Sequence, residues 1–432
     1  MVRISASPKI RVFLDLIEKL RHVKDPADAI YRYSEAMRQV YGDSAFVYLC
    51  TRGLPPGQFR ITRLRYADGT EHVPAQHAHR YHELPIYEGG FLGTIIGAGE
   101  SHVTDPVDLS ADPHLGTILP GIHSAIVASI PPTPFPMDFA VLFDRDSEQY
   151  TMDGLDEFVL RVSALTALVN QIYTAVELQT AHDFIDNQVR EIARIQRSLL
   201  PHDLPPISGL ELAVLYQTFE LAGGDMYDLI RLHTPHDQEE VIERWAIFVA
   251  DASGHGPAAA VVMAMVHAIL HAARRDVAGP ADALRHLNRQ LCAMRINASF
   301  VTAFLAFYEP ANSRIIYSRA GHNPPMYQSV TGTQSLLNAV GEIPLGIDPE
   351  IIYTQTNLDL QPGDTVVIYT DGIVEALAPD GAMFGLEGIS QTLGETTQGA
   401  PDVIKQIKHA VEVFQGNGHP NDDQTIVVLH AL

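Results

Sequence analysis

In the second half of the chain, four short apolar runs each meet an aspartate in a turn. Residues 245–250 (Trp-Ala-Ile-Phe-Val-Ala) lead into Asp251-Ala252-Ser253-Gly254-His255-Gly256, and residues 366–369 lead into Thr370-Asp371-Gly372. Asn421-Asp422-Asp423-Gln424 stands before the apolar run 426–429, and Gly223-Gly224-Asp225-Met226-Tyr227-Asp228 before Leu229-Ile230. Apolar runs of this length bounded by turn residues read as strands. A carboxylate at a strand end is costly to bury without a partner. Several brought together repel one another and need cations. Hard oxygen donors suit Mg²⁺ or Mn²⁺, and two such ions sharing a carboxylate can activate a water and clamp a phosphate. Each segment alone also reads as a turn or a strand cap, since Asp-Gly is first a turn signal. The four in this order point to a metal centre.

Around them lies an α/β region. Strand-like runs are 210–216, 245–250, 301–308, 314–317, 365–369 and 425–430, and helical stretches are 257–274, 281–294 and 400–414. Many strands with few, paired helices predict a layered α/β/β/α arrangement. Gly223, Gly224, Gly254 and Gly256 permit turns with φ > 0 and close approach to ions. Pro257 suits the first turn of a helix.

The first half is mixed α and β. Helical periodicity runs from 27 to 40, with Ile30, Tyr33, Met37 and Val40 on one face. A strand at 45–51 ends in the turn 53–57, and apolar segments follow at 91–96, 124–130 and 139–143. A helix at 154–170 closes the region. A second helix is expected over 171–200, with Leu178, Ala181, Ile185, Gln188, Ile192, Ile195 and Leu199 on alternating three- and four-residue steps. Such a seam packs on its own domain or pairs with a second copy as a coiled coil. Pro201, Pro205 and Pro206 stop it. The expected domains are therefore 10–170, a helical linker 171–200, and 201–432.

Composition removes other classes. With 52 acidic against 29 basic residues, the formal net charge is −23. Such a chain lacks the basic surface that nucleic acid or an anionic membrane would require. Two cysteines, Cys50 and Cys292, exclude a disulfide framework and a cysteine zinc site. Residues 1–8 hold no apolar core of signal-peptide length. The stretch 257–273 contains His267 and His271, so it reads as a buried helix and not a membrane span. A cytoplasmic protein is expected. His72, His77, His79 and His82 fit no regular ligand spacing and read as a solvated loop.

The second half resembles the bacterial PPM/PP2C-type serine/threonine phosphatases of the SpoIIE/RsbU group. The runs that carry the resemblance are Gln196-Arg197-Ser198-Leu199-Leu200-Pro201, the four aspartate segments, Ala320-Gly321-His322-Asn323-Pro324-Pro325, Pro344-Leu345-Gly346, Leu360-Gln361-Pro362-Gly363-Asp364 and Tyr369-Thr370-Asp371-Gly372-Ile373-Val374-Glu375-Ala376. Met226 and Ala252 stand where Phe and Val are common, and neither replaces a ligating side chain. The resemblance implies a four-layer α/β/β/α sandwich binding two divalent cations, Mn²⁺ or Mg²⁺. It implies Asp251 as the bridging carboxylate, the Ala252 carbonyl as a further ligand, Asp371 and Asp422 on the first ion, and Asp225 on the second. Asp228, Asp423 and His255 are secondary candidates. For His255, shaping the loop is favoured over a general-acid role, and for His322 and Asn323 packing over chemistry. A metal-activated water would attack a phosphoserine or phosphothreonine without a phospho-enzyme.

The first half resembles a GAF sensor domain, carried by the helix 27–40, the strand 45–51, Gly121-Ile122-His123-Ser124-Ala125-Ile126-Val127 with Pro131, and Tyr150-Thr151-Met152-Asp153-Gly154-Leu155. Cys50 inside its apolar strand reads as core. Together the resemblances imply a phosphatase acting on a STAS-type anti-sigma-factor antagonist, governed by a small ligand or partner at the GAF-like domain, in a homodimer. A phosphatase of a small metabolite and a GAF-driven binding scaffold are the alternatives.

Overall fold

Apolar residues occupy both sides of the N-terminal strands, so both faces of their sheet require cover. The computed structural model describes residues 8–42, 44–66, 68–74, 81–130, 138–146, 150–232, 243–273, 277–295, 300–395, 399–416 and 420–432. The chain divides into two units, Met1–Asp183 and Phe184–Leu432.

The first unit runs α1 (Pro8–Leu20), α2 (Pro26–Tyr41), β1 (Ala45–Cys50), β2 (Gln58–Arg65), β3 (Glu71–Val73), β4 (Tyr87–Glu88), α3 (Gly90–Ala98), β5 (His102–Thr104), β6 (Ser124–Ile130), β7 (Asp138–Asp144) and the first part of α4 (Met152–Leu199), whose residues from Phe184 onward belong to the second unit. The sheet order is β3-β2-β1-β7-β6-β5, with β4 beside β2. Phe46, Ile126, Ala140 and Leu142 pack under α1, α2 and the first turns of α4. Val47, Leu49, Val127 and Val141 pack on the other face with Leu92 and Ile95 of α3. Asp25 caps α2 by accepting from the Ala27 amide at 2.9 Å, the usual N-terminal solution.

One expectation changes here, and two further helices appear. Residues 91–96 belong to a helix, because a short apolar run fits either element; Gly99, left-handed at φ 70°, ends it. Residues 8–20 form an unforeseen helix whose Phe13, Leu16 and Leu20 are buried. The two helices expected at 154–170 and 171–200 are one helix of 48 residues. Nothing between Gly154 and Pro201 breaks it. By length and composition it also meets the requirement for a membrane span, with an 18-residue stretch of mean hydropathy 1.3. Leu155, Phe158, Val162 and Leu165 of its first turns are nevertheless in the core.

The second unit contains β8 (Leu210–Gln217), β9 (Asp225–Leu232), β10 (Arg244–Ala252), α5 (Pro257–Ala273), α6 (Pro280–Met294), β11 (Val301–Glu309), β12 (Arg314–Ala320), β13 (Met326–Gln328), β14 (Gln334–Leu336), β15 (Thr356–Asp359), β16 (Thr365–Tyr369), α7 (Asp371–Val374), α8 (Gly385–Gly394), α9 (Ala400–Gln415) and β17 (Gln424–Ala431). Two antiparallel sheets form, β15-β12-β11-β10-β9 and β14-β13-β16-β17-β8. Val366, Ile368, Val427 and Leu429 share one core with the first sheet and with α5 and α6. Their neighbours Val367, Tyr369, Ile426 and Val428 face α8 and α9. Strict alternation on two central strands thus produces the α/β/β/α layers.

Candidate metal centre

Strand register brings the aspartates together. Asp225 opens β9 directly opposite Asp251 of β10. Asp371 opens the single turn α7 after β16, and Asp422 and Asp423 immediately precede β17, the neighbour of β16. The Thr370 amide donates to the Thr425 carbonyl at 3.1 Å, tying the last two segments.

Asp225 is 1% exposed. Its Oδ2 accepts from Thr370 Oγ1 at 2.7 Å and Thr425 Oγ1 at 2.6 Å. Two hydroxyls of the second sheet therefore hold a carboxylate of the first. Burial drives the Asp225 carboxyl well above the usual range; the hydroxyls oppose this, and Asp423 and Asp371 add repulsion. Asp251 is pushed up to about 9 by burial, then by Asp225, Asp371, Asp422 and Asp423. Asp371 rises to about 6 through burial and the nearby Asp422 and Glu375. Asp423 is raised by burial although the amides of Phe219, at 2.7 Å, and Gly224 donate to it. Among the described residues none of these four carboxylates forms an ion pair with a lysine or arginine, and no cation stands among the largest causes of their shifts. A group of buried carboxylates without counter-charge favours protons or metal ions.

The glycines serve unequally. Gly254 and Gly256 have φ of 87° and 80°. Gly223 and Gly224 do not adopt positive φ; space requires them. A Cβ on Gly224 would lie 2.8 Å from the Gly254 carbonyl and 2.9 Å from that of Ala252, and one on Gly223 would lie 2.6 Å from Asp423 Oδ2. The Ala252 amide donates to the Gly224 carbonyl at 3.0 Å, so the two metal-loop candidates are joined. Gln196, 5% exposed near the end of α4, accepts from the Gly223 amide at 3.1 Å and donates to its carbonyl at 2.7 Å.

A family model described as "Stage II sporulation protein E (SpoIIE)" matches residues 242–432. This part of the chain is a SpoIIE-type PP2C phosphatase domain. Asp251, Asp371 and Asp422 lie within the match, and Asp225 and Gln196 precede it. The chain is similar to the phosphoserine phosphatase RsbU of Bacillus subtilis, 27% identical over 57% of this chain and 70% of that protein. It is similar to the phosphoserine phosphatase RsbP of the same organism, 25% identical over 38% and 39% respectively. Among solved structures, the PP2C domain of SiaA from Pseudomonas aeruginosa matches with a TM-score of 0.49 and 21% identity, over 58% of this chain and 98% of that one.

In the SpoIIE-type domain the donor set fits divalent ions. It is all oxygen, acidic and without a cationic partner, which selects hard cations. Asp251, Asp371 and Asp422 would hold them, with Asp225 and the Ala252 carbonyl as further candidate donors. The secondary candidates separate. Asp423 is a loop organiser, taking the Phe219 and Gly224 amides. His255 stands at the rim, its side chain 54% exposed, with Nδ1 3.2 Å from Glu220. Asp228 contacts His267 and His271 of α5. His322 is buried, with Nδ1 bonded to Thr302 at 2.8 Å, and burial pushes its imidazole down to about 3. Sequence reasoning gave no role to Thr370 and Thr425, although both stand inside the aspartate segments. Of the N-terminal histidines, His77 and His79 lie outside the described residues, and His82 is exposed.

Proposed function

We propose that the chain is a divalent-metal-dependent protein phosphatase that hydrolyses phosphoserine or phosphothreonine on a small regulatory protein of the STAS type. The N-terminal unit would act as a GAF-like sensor and α4 as a dimerising connector. The observation that carries the reading is the convergence of Asp225, Asp251, Asp371 and Asp422 without a cationic partner. The names of the relatives, phosphoserine phosphatases RsbU and RsbP, support the substrate class. Bound divalent ions would supply Lewis-acid activation of water and the charge that draws in a phosphate. The residues' share is placement. Asp251, Asp371 and Asp422 would hold the ions at the ends of two sheets. Thr370 and Thr425 keep Asp225 in one orientation. Gly224 lets its loop close on Ala252. The acidic site repels a phosphate until the ions are present, so turnover requires them.

A small-molecule signal is supported by a cavity of about 340 Å³ inside the N-terminal unit, lined in part by Tyr33, Tyr48, Arg52, Arg63 and Asp138. Arg63 is 3% exposed, and its Nε and Nη2 lack hydrogen-bond partners, as do the Tyr33 hydroxyl and Asp138 Oδ1. Glu71 is 3.6 Å from Arg63 Nη2. A ligand with an acidic group would supply the acceptors that Arg63 and the Tyr33 hydroxyl lack.

The test is phosphate release from a phosphorylated STAS protein and from a panel of phosphorylated metabolites, with Mg²⁺, Mn²⁺ or chelator. Turnover on the phosphoprotein is expected with metal only, and Asp251→Ala and Asp371→Asn abolish it. Metal-dependent activity surviving in both variants defeats the site assignment. Activity on metabolites alone replaces the substrate class.

A further inference from the structure

Asp225 and Asp228 stand three residues apart on β9, so the pleat sends them to opposite sides. Asp225 takes hydroxyls from the second sheet, whereas Asp228 meets α5. Asp228 Oδ2 is 2.7 Å from His271 Nε2 and 3.6 Å from His267 Nε2. The two histidines are one helical turn apart on the same face, their rings tilted by 32° with centroids 4.1 Å apart. Asp228 Oδ1 accepts from the Leu229 amide at 2.8 Å, which fixes the carboxylate. Among the described residues this is the one set of three histidine, cysteine or carboxylate donors whose ligand atoms all lie within 4.8 Å of one another. The Asp228 side chain is 6% exposed, those of His267 and His271 19% and 34%. The cluster is walled by the sheet and open to solvent along the helix.

An aspartate–histidine ion pair accounts for His271 alone. His267 lies beyond hydrogen-bond distance of the same oxygen. Both imidazoles nevertheless turn a nitrogen toward that oxygen, with their ring centroids 4.1 Å apart. A neutral imidazole beside a second imidazole and a fixed carboxylate is a ligand set. Three donors on one tetrahedral ion are about 3.3 Å apart, given metal–ligand bonds of about 2.0–2.1 Å. The separations of 2.7 and 3.6 Å bracket that value. Two nitrogens and one oxygen suit a borderline cation and not the hard ions favoured by the all-oxygen centre.

We propose that Asp228, His267 and His271 form a second, separate metal site for a divalent cation of the zinc class, with three protein ligands and a fourth position open to solvent. The ion joins β9, which begins at Asp225, to α5, which follows the Asp251–Gly256 loop. It thereby clamps two elements of the carboxylate centre from the far side of the sheet.

The test uses the full chain in excess Mg²⁺, to fill the oxygen centre, with Zn²⁺ or Co²⁺ as the added probe. Equilibrium dialysis is expected to show one Zn²⁺ per chain, lost in His267→Gln and in His271→Gln while circular dichroism confirms both fold. Co²⁺ is expected to give the strong visible absorption of a four-coordinate nitrogen–oxygen site. X-ray absorption of the Zn²⁺-loaded wild type, which depends on no variant, is expected to show two imidazoles in the first shell. An oxygen-only shell, or equal Zn²⁺ uptake in wild type and folded variants, overturns the site.

Discussion

Single atoms decide whether Asp225 can serve the centre. Its Oδ2 is held by two hydroxyls that have no other route to it. Thr370→Val and Thr425→Val keep the shape and remove one donor each. Supporting partners of this kind typically carry roughly 10–100-fold in metal affinity, so each variant is expected to need that much more Mg²⁺ or Mn²⁺ for half-maximal phosphate release. Equal metal requirements would mean the hydroxyls only fill space. Gly224→Ala acts differently, because its Cβ would press on two carbonyls at 2.8 and 2.9 Å. A loss of about 1–3 kcal/mol is expected from overpacking at a site this tight, read as a lowered midpoint in urea. The thiols give a third check. Burial, with Asp138 nearby, pushes the Cys50 thiol up to about 12. A raised thiol pKa keeps the unreactive protonated form at pH 8. A disulfide reagent should therefore modify half-buried Cys292 first and Cys50 only on unfolding. Fast modification of Cys50 in the native chain would mean that β1 opens.

Elements were legible in the sequence where one physical rule decided them. The unbroken apolar runs 366–369 and 426–429, each beside turn residues, identified the central strands, since both of their faces must be covered. The proline cluster after residue 200 marked the end of α4. Asp225-Met226-Tyr227-Asp228 was legible as a motif and not as strand, because two acids and a glycine pair look like a turn until tertiary contacts satisfy them. Short β13, β14 and β15 carry too few residues for periodicity to show. Contacts between residues far apart in sequence were beyond reach altogether. The end of α4 grips the acidic loop through Gln196 and Gly223, 27 positions apart, and Ile192 packs near Ala222 and Ala260. Gln196→Ala strands a buried amide and a buried carbonyl, costing about 1–3 kcal/mol. Because the stranded groups belong to the loop before Asp225, phosphate release is expected to fall more than global stability. A variant that loses stability while its remaining folded fraction turns over normally would make Gln196 a packing residue only.

For the whole molecule, α4 raises the question of assembly. Of the seam read in the sequence, Ile192 is packed inside its own unit, while Leu178, Ile185 and Ile195 are 66%, 58% and 56% exposed. Single exposed apolar side chains are ordinary, but a row of them on one helix marks a contact surface. Burying each would contribute roughly 1.5–3 kcal/mol, against an association cost of at least about 4 kcal/mol. Six such side chains, three from each copy, would contribute roughly 9–18 kcal/mol against an association cost of about 4–15 kcal/mol, so the proposed dimer is expected to form reversibly. Sedimentation velocity across a dilution series is expected to show this exchange. Leu178→Glu combined with Ile185→Glu should leave a monomer with an unchanged fold, because neither side chain is buried. Ile192→Glu should instead unfold the packing around Ala222 and Ala260. A wild-type chain that stays monomeric at every concentration removes dimerisation from the proposed mechanism. The proposed control of the aspartate centre would then have to run through α4 and Gln196 within one chain.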